Sequence, residues 1–369
     1  MASRYLMTAV VYSGLAVLFG GFTGLRGQDD GVPGELIVEV IGRERIPLPE
    51  VHFSGIRQLP NGQLVFRTAD RWAIQVLNRS TGTVVSHSLH SVPEGTAGSV
   101  ELGSDFDGDS AGNLLFAGVW KEWKAGTDLR ASVFIFTPGK GFGPRQDLGF
   151  AGRPDRIAVL PDGGYVVLAA DPACVRRLEP ECLLLHKYSS RGERAISFSS
   201  FPTGLDPERR KVSPRETAAR LRAETERGHL WVQDGQIFHV LPVSRRLRVF
   251  NNDGRLVRET VLTTPQSTEL LALHGLTPNS NGPQVWRIVA RPDGTFLVTW
   301  LHIESTGGGQ RRGEYLALHG PDGRPITKAA LPELRPAIPF RSDSEGIIHF
   351  LHLSSATQVE LVRARLRVR

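Results

Sequence analysis

The sequence predicts an all-β fold built from six repeated units, and three observations carry the prediction. A tight turn ending in Gly recurs six times, at Gly62, Gly112, Gly163, Gly235, Gly294 and Gly346, at intervals of 50, 51, 72, 59 and 52 residues. Six residues before each Gly stand Ile56, Phe106, Ile157, His229, Ile288 and Phe340, a column that is large and apolar except at His229. A second Gly turn follows in five copies, at Gly82, Gly141, Gly192, Gly254 and Gly323. Gly in such turns supplies the positive φ of a hairpin. Each unit then reads as four strands, A–B–C–D, over the length of a propeller blade. The fold class is all-β: a six-bladed β-propeller of four-stranded antiparallel blades.

The elements follow in order. ELIVEV, residues 35–40, precedes the first A strand. The last unit ends without a second turn, so this segment can supply its missing D strand and close the ring, removing the open sheet edges. The six A–B units are IRQLPNGQLVF, SDFDGDSAGNLLF, RIAVLPDGGYVVL, HLWVQDGQIFHV, RIVARPDGTFLV and FRSDSEGIIHFL, each with β-formers after the turn. Between the third and fourth units, Ser213-Pro214-Arg215-Glu216 is a capping box with Pro at the first helical position. Ala218, Ala219, Leu221 and Ala223 continue it and Gly228 ends it, so a short helix is expected over 214–226, inside an insertion at 201–228. Its charged residues suit a solvated lid over a channel mouth.

The stretches FRTADRWAIQVLNRSTGTVV (66–85) and RIAVLPDGGYVVLAAD (156–171) are the clearest units. In them the chain resembles NHL-type and TolB-like six-bladed propellers, at the level of blade pattern over about residues 50–369. The resemblance implies architecture; propellers host unrelated functions.

Composition sets the class and the compartment. Forty per cent of the 369 residues are apolar and 22% charged, which excludes a disordered or collagen-like chain. Arg4 followed by the uncharged run 5–25 reads as a signal peptide within 1–27, and the run is long enough to serve as an uncleaved membrane anchor instead. Either way the folded part, 35–369, is expected outside the cytoplasm. Cys174 and Cys182 then suit a disulfide closing a local loop. The net charge is +6, and no Lys/Arg block of nucleic-acid type appears. Arg363, Arg365, Arg367 and Arg369 alternate with Val362, Ala364, Leu366 and Val368, which is the outer face of a strand.

Function is sought in the long connections and the channel. The A–B turns are short, whereas the B–C segments 121–130, 171–181 and 304–313 and the D–A segments 201–228 and 263–283 are long, and strand count places all five on one face. Such a face is where binding resides. A strands line the channel, and Arg57, Arg156, Arg287, Arg341, Asp105 and Asp107 stand five or seven residues before the turn Gly, on one parity. Four converging guanidiniums can take a carboxylate, phosphate or sulfate bidentately; alternatively they pair with Asp105, Asp107 and Asp155 between blades. Asp105-Phe106-Asp107-Gly108-Asp109 opens like a calcium loop, but Ser110 and Phe116 replace its Gly and Glu. Trp120 and Trp123, beside a long loop, can stack on a sugar or a partner. His87/His90 and His349/His352 are three apart, hence on opposite strand faces. No G-x-S-x-G, H-E-x-x-H or phosphate loop occurs. The expectation is an exported binding or scaffold module, without a cofactor, for a protein, an anionic glycan or an anionic small molecule on the loop-rich face. The competing reading is a metal-dependent lyase or lactonase-like hydrolase with its site in the channel.

Overall fold

The structure is a computed structural model, and it describes residues 34–47, 53–68, 72–79, 81–89, 98–122, 129–151, 153–170, 182–201, 214–265, 283–306, 309–330, 337–355 and 358–369. The expected signal or anchor segment, Trp123, Cys174 and most of the long connections lie outside these residues. By contacts the chain divides into Met1–Val32 and Pro33–Arg369, and the described residues belong to the second unit.

After β1 (Leu36–Ile46), the strands form antiparallel sheets in chain order. Sheet 1 holds β2 (Phe53–Gln58), β3 (Leu64–Thr68), β4 (Ala73–Asn78) and β5 (Thr83–Ser88). Sheet 2 holds β6 (Gly98–Gly108), β7 (Leu114–Glu122), β8 (Leu129–Thr137), the short β9 (Gly141–Phe142) and β10 (Gln146–Ala151). Sheet 3 holds β11 (Pro154–Val159), β12 (Tyr165–Ala169), β13 (Leu183–Tyr188) and β14 (Arg194–Ser200). Helix α1 (Pro214–Glu226) follows, at the expected boundaries. Sheet 4 holds β15 (His229–Gln233), β16 (Gln236–Leu241), β17 (Arg246–Phe250) and β18 (Leu256–Val261). Sheet 5 holds β19 (Gln284–Ala290), β20 (Phe296–Thr306) and β21 (Gly309–His319). Sheet 6 holds β22 (Ala337–Ser342), β23 (Ile348–Ser355) and β24 (Gln358–Val368), with β1 as its outer strand.

The turn chemistry is as read. All eleven turn glycines have positive φ, between +68° at Gly82 and +89° at Gly141, which L side chains adopt only at a cost. β1 pairs antiparallel with β24 from Leu36↔Val368 to Ile46↔Val359, so the N-terminal strand does fill the outer place of the last sheet. On β24 the arginines 363, 365 and 367 are exposed between buried Val362, Ala364 and Leu366.

Burial explains the order of packing. Each of six apolar clusters draws on two sheets. Leu59 and Phe106 join sheets 1 and 2; Leu115 and Ile157 join 2 and 3; Ala158 and Ile237 join 3 and 4. Phe238 and Phe296 join 4 and 5; Leu297 and Ile348 join 5 and 6; Ile56 and Leu351 join 6 and 1. The core therefore lies between sheets, as apolar side chains on both faces of each sheet require.

Three expectations are corrected. Sheet 5 has no regular fourth strand. The chain after Gly323 makes only the bridges His319↔Pro325 and Leu316↔Ala330, and between them the Thr327 hydroxyl accepts the Leu318 N–H. Pro325 has no N–H to donate and a side chain occupies a ladder position, so pairing does not propagate. The segment 304–313 is not a loop: β20 and β21 pair as one long hairpin out to Thr306↔Gly309. Nor is α1 solvated all round. Leu221 is buried in the core, and Glu224 is 0% exposed, accepting the N–H groups of Val243 and Ser244.

Candidate functional site

A cavity of about 630 Å³ is lined by residues from all six sheets. Arg57, Arg156, Arg287 and Arg341 all line it, with Asp107 and His229. The lining also includes the A–B turn residues Pro60, Asp234, Pro292 and Ser344, so the cavity reaches the turn face, opposite the long connections.

Backbone irregularity aims these side chains. The pairing of the innermost strand shifts between Phe53 and Gly55, Leu102 and Phe106, Pro154 and Arg156, Val285 and Arg287, and Pro339 and Arg341. Three of the four arginines stand directly after a shift. A bulge re-aims the residue that follows it and twists the strand locally. In sheet 4, β15 pairs with β16 in unbroken register from His229 to Gln233.

On the side of sheets 1–3 the charges are neutralised. Arg57 donates to Asp105 of sheet 2, an ion pair whose carboxylate side chain is 11% exposed. The other Asp105 oxygen accepts the Ile157 N–H at 3.1 Å, and Asp107 accepts the Val159 N–H at 2.9 Å. Two carboxylates two residues apart on β6 thus satisfy two amides two residues apart on β11. Burial opposes the Arg57 charge, but Asp105 and Asp107 outweigh it and hold its pKa above the ordinary value. Burial pushes Asp107 up to about 6, against the pull of Arg57 and its hydrogen bonds. Asp109 accepts both the N–H and the side-chain amide of Asn113 at 2.8 Å, inside its own turn. The three carboxylates of the calcium-like run therefore serve separate structural tasks.

Arg156 is engaged differently. Its Nε donates to the Gly228 carbonyl and its terminal nitrogens to the Glu226 and Asp155 carbonyls, each at 2.8 Å. A cation at the last turn of α1 also complements the helix dipole. Asp155 beside it is raised to about 6, chiefly by burial.

On the side of sheets 4–6 the pattern changes. Arg287 has no hydrogen bond among the described residues, and its Nε is buried. Burial, with Arg57 and Arg156 nearby, lowers its pKa to about 10, against a partial pull from Glu314 and Asp105. Arg341 is exposed on the cavity wall. His229 has a buried Nε2 without a partner. Burial, then Arg156 and Arg287, lowers its pKa to about 3, so the ring is neutral. Arg57, Arg156, Arg287 and His229 thus share one electrostatic neighbourhood.

The sequence reading named all four arginines and Asp105, which stands behind Arg57. It noted His229 as the one polar residue in the apolar column but did not count it among the site residues. Trp120 has a packing position: it is 5% exposed in the cluster between sheets 1 and 2, with the Arg145 guanidinium 4.7 Å above its ring. Trp123 and Cys174 lie outside the described residues, and Cys182 is buried at the head of β13. His349 and His352 turn to Asp343 and Glu360 respectively, on separate faces. Among the described residues no three metal-ligating side chains cluster, and no helix is long and apolar enough to cross a membrane.

No protein-family model matches the chain, and no curated protein matches it. Solved structures do. A member of the DUF4221 family from Bacteroides vulgatus superposes with a TM-score of 0.51 at 10% identity, over 91% of this chain and 99% of that one. The PQQ-bound aldose sugar dehydrogenase of Streptomyces coelicolor gives 0.47 at 13% identity, covering 91% and 100%. A catalytically inactive virginiamycin B lyase from Staphylococcus aureus, with quinupristin, gives 0.42 at 12%, covering 89% and 99%. The chain has a β-propeller fold. At these identities the likeness carries the fold alone.

Proposed function

We propose that the protein is an exported, non-catalytic binding module whose ligand is anionic and sits in the cavity between the six sheets. In this reading the sheets are the blades of a closed six-bladed ring of NHL- or TolB-like type. The pairing of β1 with β24 and the six inter-sheet clusters support that arrangement. One observation carries the ligand class. Four guanidiniums from four sheets line one cavity, and two of them, Arg287 and Arg341, have no carboxylate at ion-pair distance among the described residues, Glu314 and Asp105 acting on Arg287 only from farther off. Arg287 is half-buried, and its buried Nε has no hydrogen-bond partner, a cost that a bound anion would relieve. The loop-rich face is then where a protein or glycan partner would engage, and a Cys174–Cys182 disulfide would fit the exported compartment.

The test is the thermal midpoint of the mature chain, residues 28–369, against uronic acids, sugar phosphates, sulfated glycans, calcium, zinc and EDTA. A native-state binder at ~100 Kd adds about 2.7 kcal/mol. A shift with anions supports the reading. A shift with a divalent metal that EDTA reverses moves the assignment to the lyase or lactonase class. The absence of any shift rejects a small ligand in the cavity.

A further inference from the structure

Resting on the reading of the cavity as an anion site, we propose that its ligand is a small hydroxylated carboxylic acid, a sugar acid of mono- or disaccharide size, rather than an inorganic oxyanion. The wall facing Arg287 is not uniformly a donor surface. His229 presents a buried Nε2 that has no partner, and Asp107 presents a carboxylate to the same cavity. Burial with the neighbouring guanidiniums keeps the imidazole neutral. A neutral imidazole has one donor nitrogen and one acceptor nitrogen. A ligand hydroxyl, which both donates and accepts, satisfies Nε2 in either tautomer.

The cavity therefore holds guanidinium donors, Arg287 and Arg341, together with the Asp107 carboxylate as an acceptor and the neutral imidazole of His229. Sulfate and fully ionised phosphate have only acceptor oxygens. They would satisfy the arginines, offer no donor to Asp107 and place negative charge against it. A molecule with a carboxylate at one end and hydroxyls along its body satisfies both sets, the hydroxyls donating to Asp107 and pairing with Nε2. Trp231 and Phe340 also line the cavity and give an apolar face for the C–H groups of a sugar ring. A volume of about 630 Å³ lies within the usual range for small-molecule sites.

The experiment is calorimetric titration of the full mature chain with glucuronate, galacturonate, acetate, sulfate, phosphate and glucose. Wild type, Arg287→Met, Arg341→Gln and His229→Phe are compared, each checked for folding by its thermal midpoint. A uronate is expected to bind at least tenfold more tightly than acetate, sulfate or phosphate, with glucose not binding. Arg287→Met and Arg341→Gln should each weaken uronate about tenfold or more, on the scale of a charge-assisted hydrogen bond. His229→Phe should weaken uronate several-fold. Sulfate or phosphate binding as tightly as uronate, or His229→Phe without effect on uronate, overturns this inference while leaving the anion site intact. No binding of any anion overturns the anion site itself.

Discussion

On the side of sheets 1–3, Arg57 is paired with Asp105 and Arg156 is bonded to the end of α1. On the side of sheets 4–6, Arg287 and Arg341 occupy equivalent inner-strand positions and no carboxylate among the described residues pairs with them. The residue type and the place in the repeat are the same, and the partners differ. An arginine at a channel position is thus no indicator of function by itself. What distinguishes structure from site is whether the neighbouring sheet brings an acceptor. Sheet 2 brings two, Asp105 and Asp107, and these also satisfy the edge amides of β11. The first half of the lining is mostly a scaffold of hydrogen-bonded charge, from which Asp107 also reaches the cavity, and the second half is left for a ligand.

The largest expected effect comes from breaking the first half. Arg57→Met leaves the Asp105 carboxylate in a site where it is 11% exposed, without its cation. Removing one partner of a buried pair costs about 3 kcal/mol, at the low end of the range because Arg57 is partly solvated. Urea unfolding at neutral pH should show this as a lower midpoint at unchanged slope. A loss below ~1 kcal/mol would mean that the pair is not structural. Next comes Glu224→Ala, which deprives the Val243 and Ser244 amides of their acceptors. The expected loss is about 2 kcal/mol, together with faster hydrogen exchange at those two amides. Exchange that stays at the wild-type rate would show that α1 does not anchor the β16–β17 turn.

Arg287→Met should go the other way. It replaces an unpartnered guanidinium with an apolar chain of similar length, so the ligand-free protein should be unchanged or about 1 kcal/mol more stable. If it destabilises as Arg57→Met does, the two halves of the lining are not different in kind.

How far the sequence reaches can be argued from the same residues. The blade pattern was legible because glycine turns are local: a positive φ favours Gly, and all eleven predicted glycines have it. The boundaries of α1 were legible for the same reason, since caps and Pro at the first turn are local signals. The parity of Arg57, Arg156, Arg287 and Arg341 was also legible. Their partners were not. Whether Asp105 faces Arg57 depends on the stagger between two sheets, which no single strand encodes. The shift before Arg156, Arg287 and Arg341 leaves no residue signature as plain as a glycine. Glu224 was read as a solvated charge because its acceptor role depends on a turn 20 residues away. The fourth strand of sheet 5 was overread because the Gly323 turn is present, although Pro325 and Thr327 prevent the ladder beyond it.

The finest test of the comparison is the pH dependence of stability, because the two halves hold titratable groups shifted in opposite senses. Asp107 is raised to about 6 by burial, from an unfolded value near ~4. A carboxyl raised on folding gives its full stabilisation below about pH 4, and that stabilisation is lost as pH rises through about 6. His229 is lowered to about 3 by burial and the neighbouring arginines, from an unfolded value near ~6.5. It contributes fully above about pH 6.5, and the contribution is lost as pH falls toward 3. Relative to wild type, Asp107→Asn should therefore gain on the order of 1 kcal/mol between pH 4 and 7 as the pH is raised. His229→Phe should gain a similar amount over the same window as the pH is lowered. Unfolding midpoints measured at pH 4, 5, 6 and 7 would give two difference curves of opposite slope. Parallel curves would mean that burial does not shift at least one of the two groups as stated, and the electrostatic account of the lining would fail.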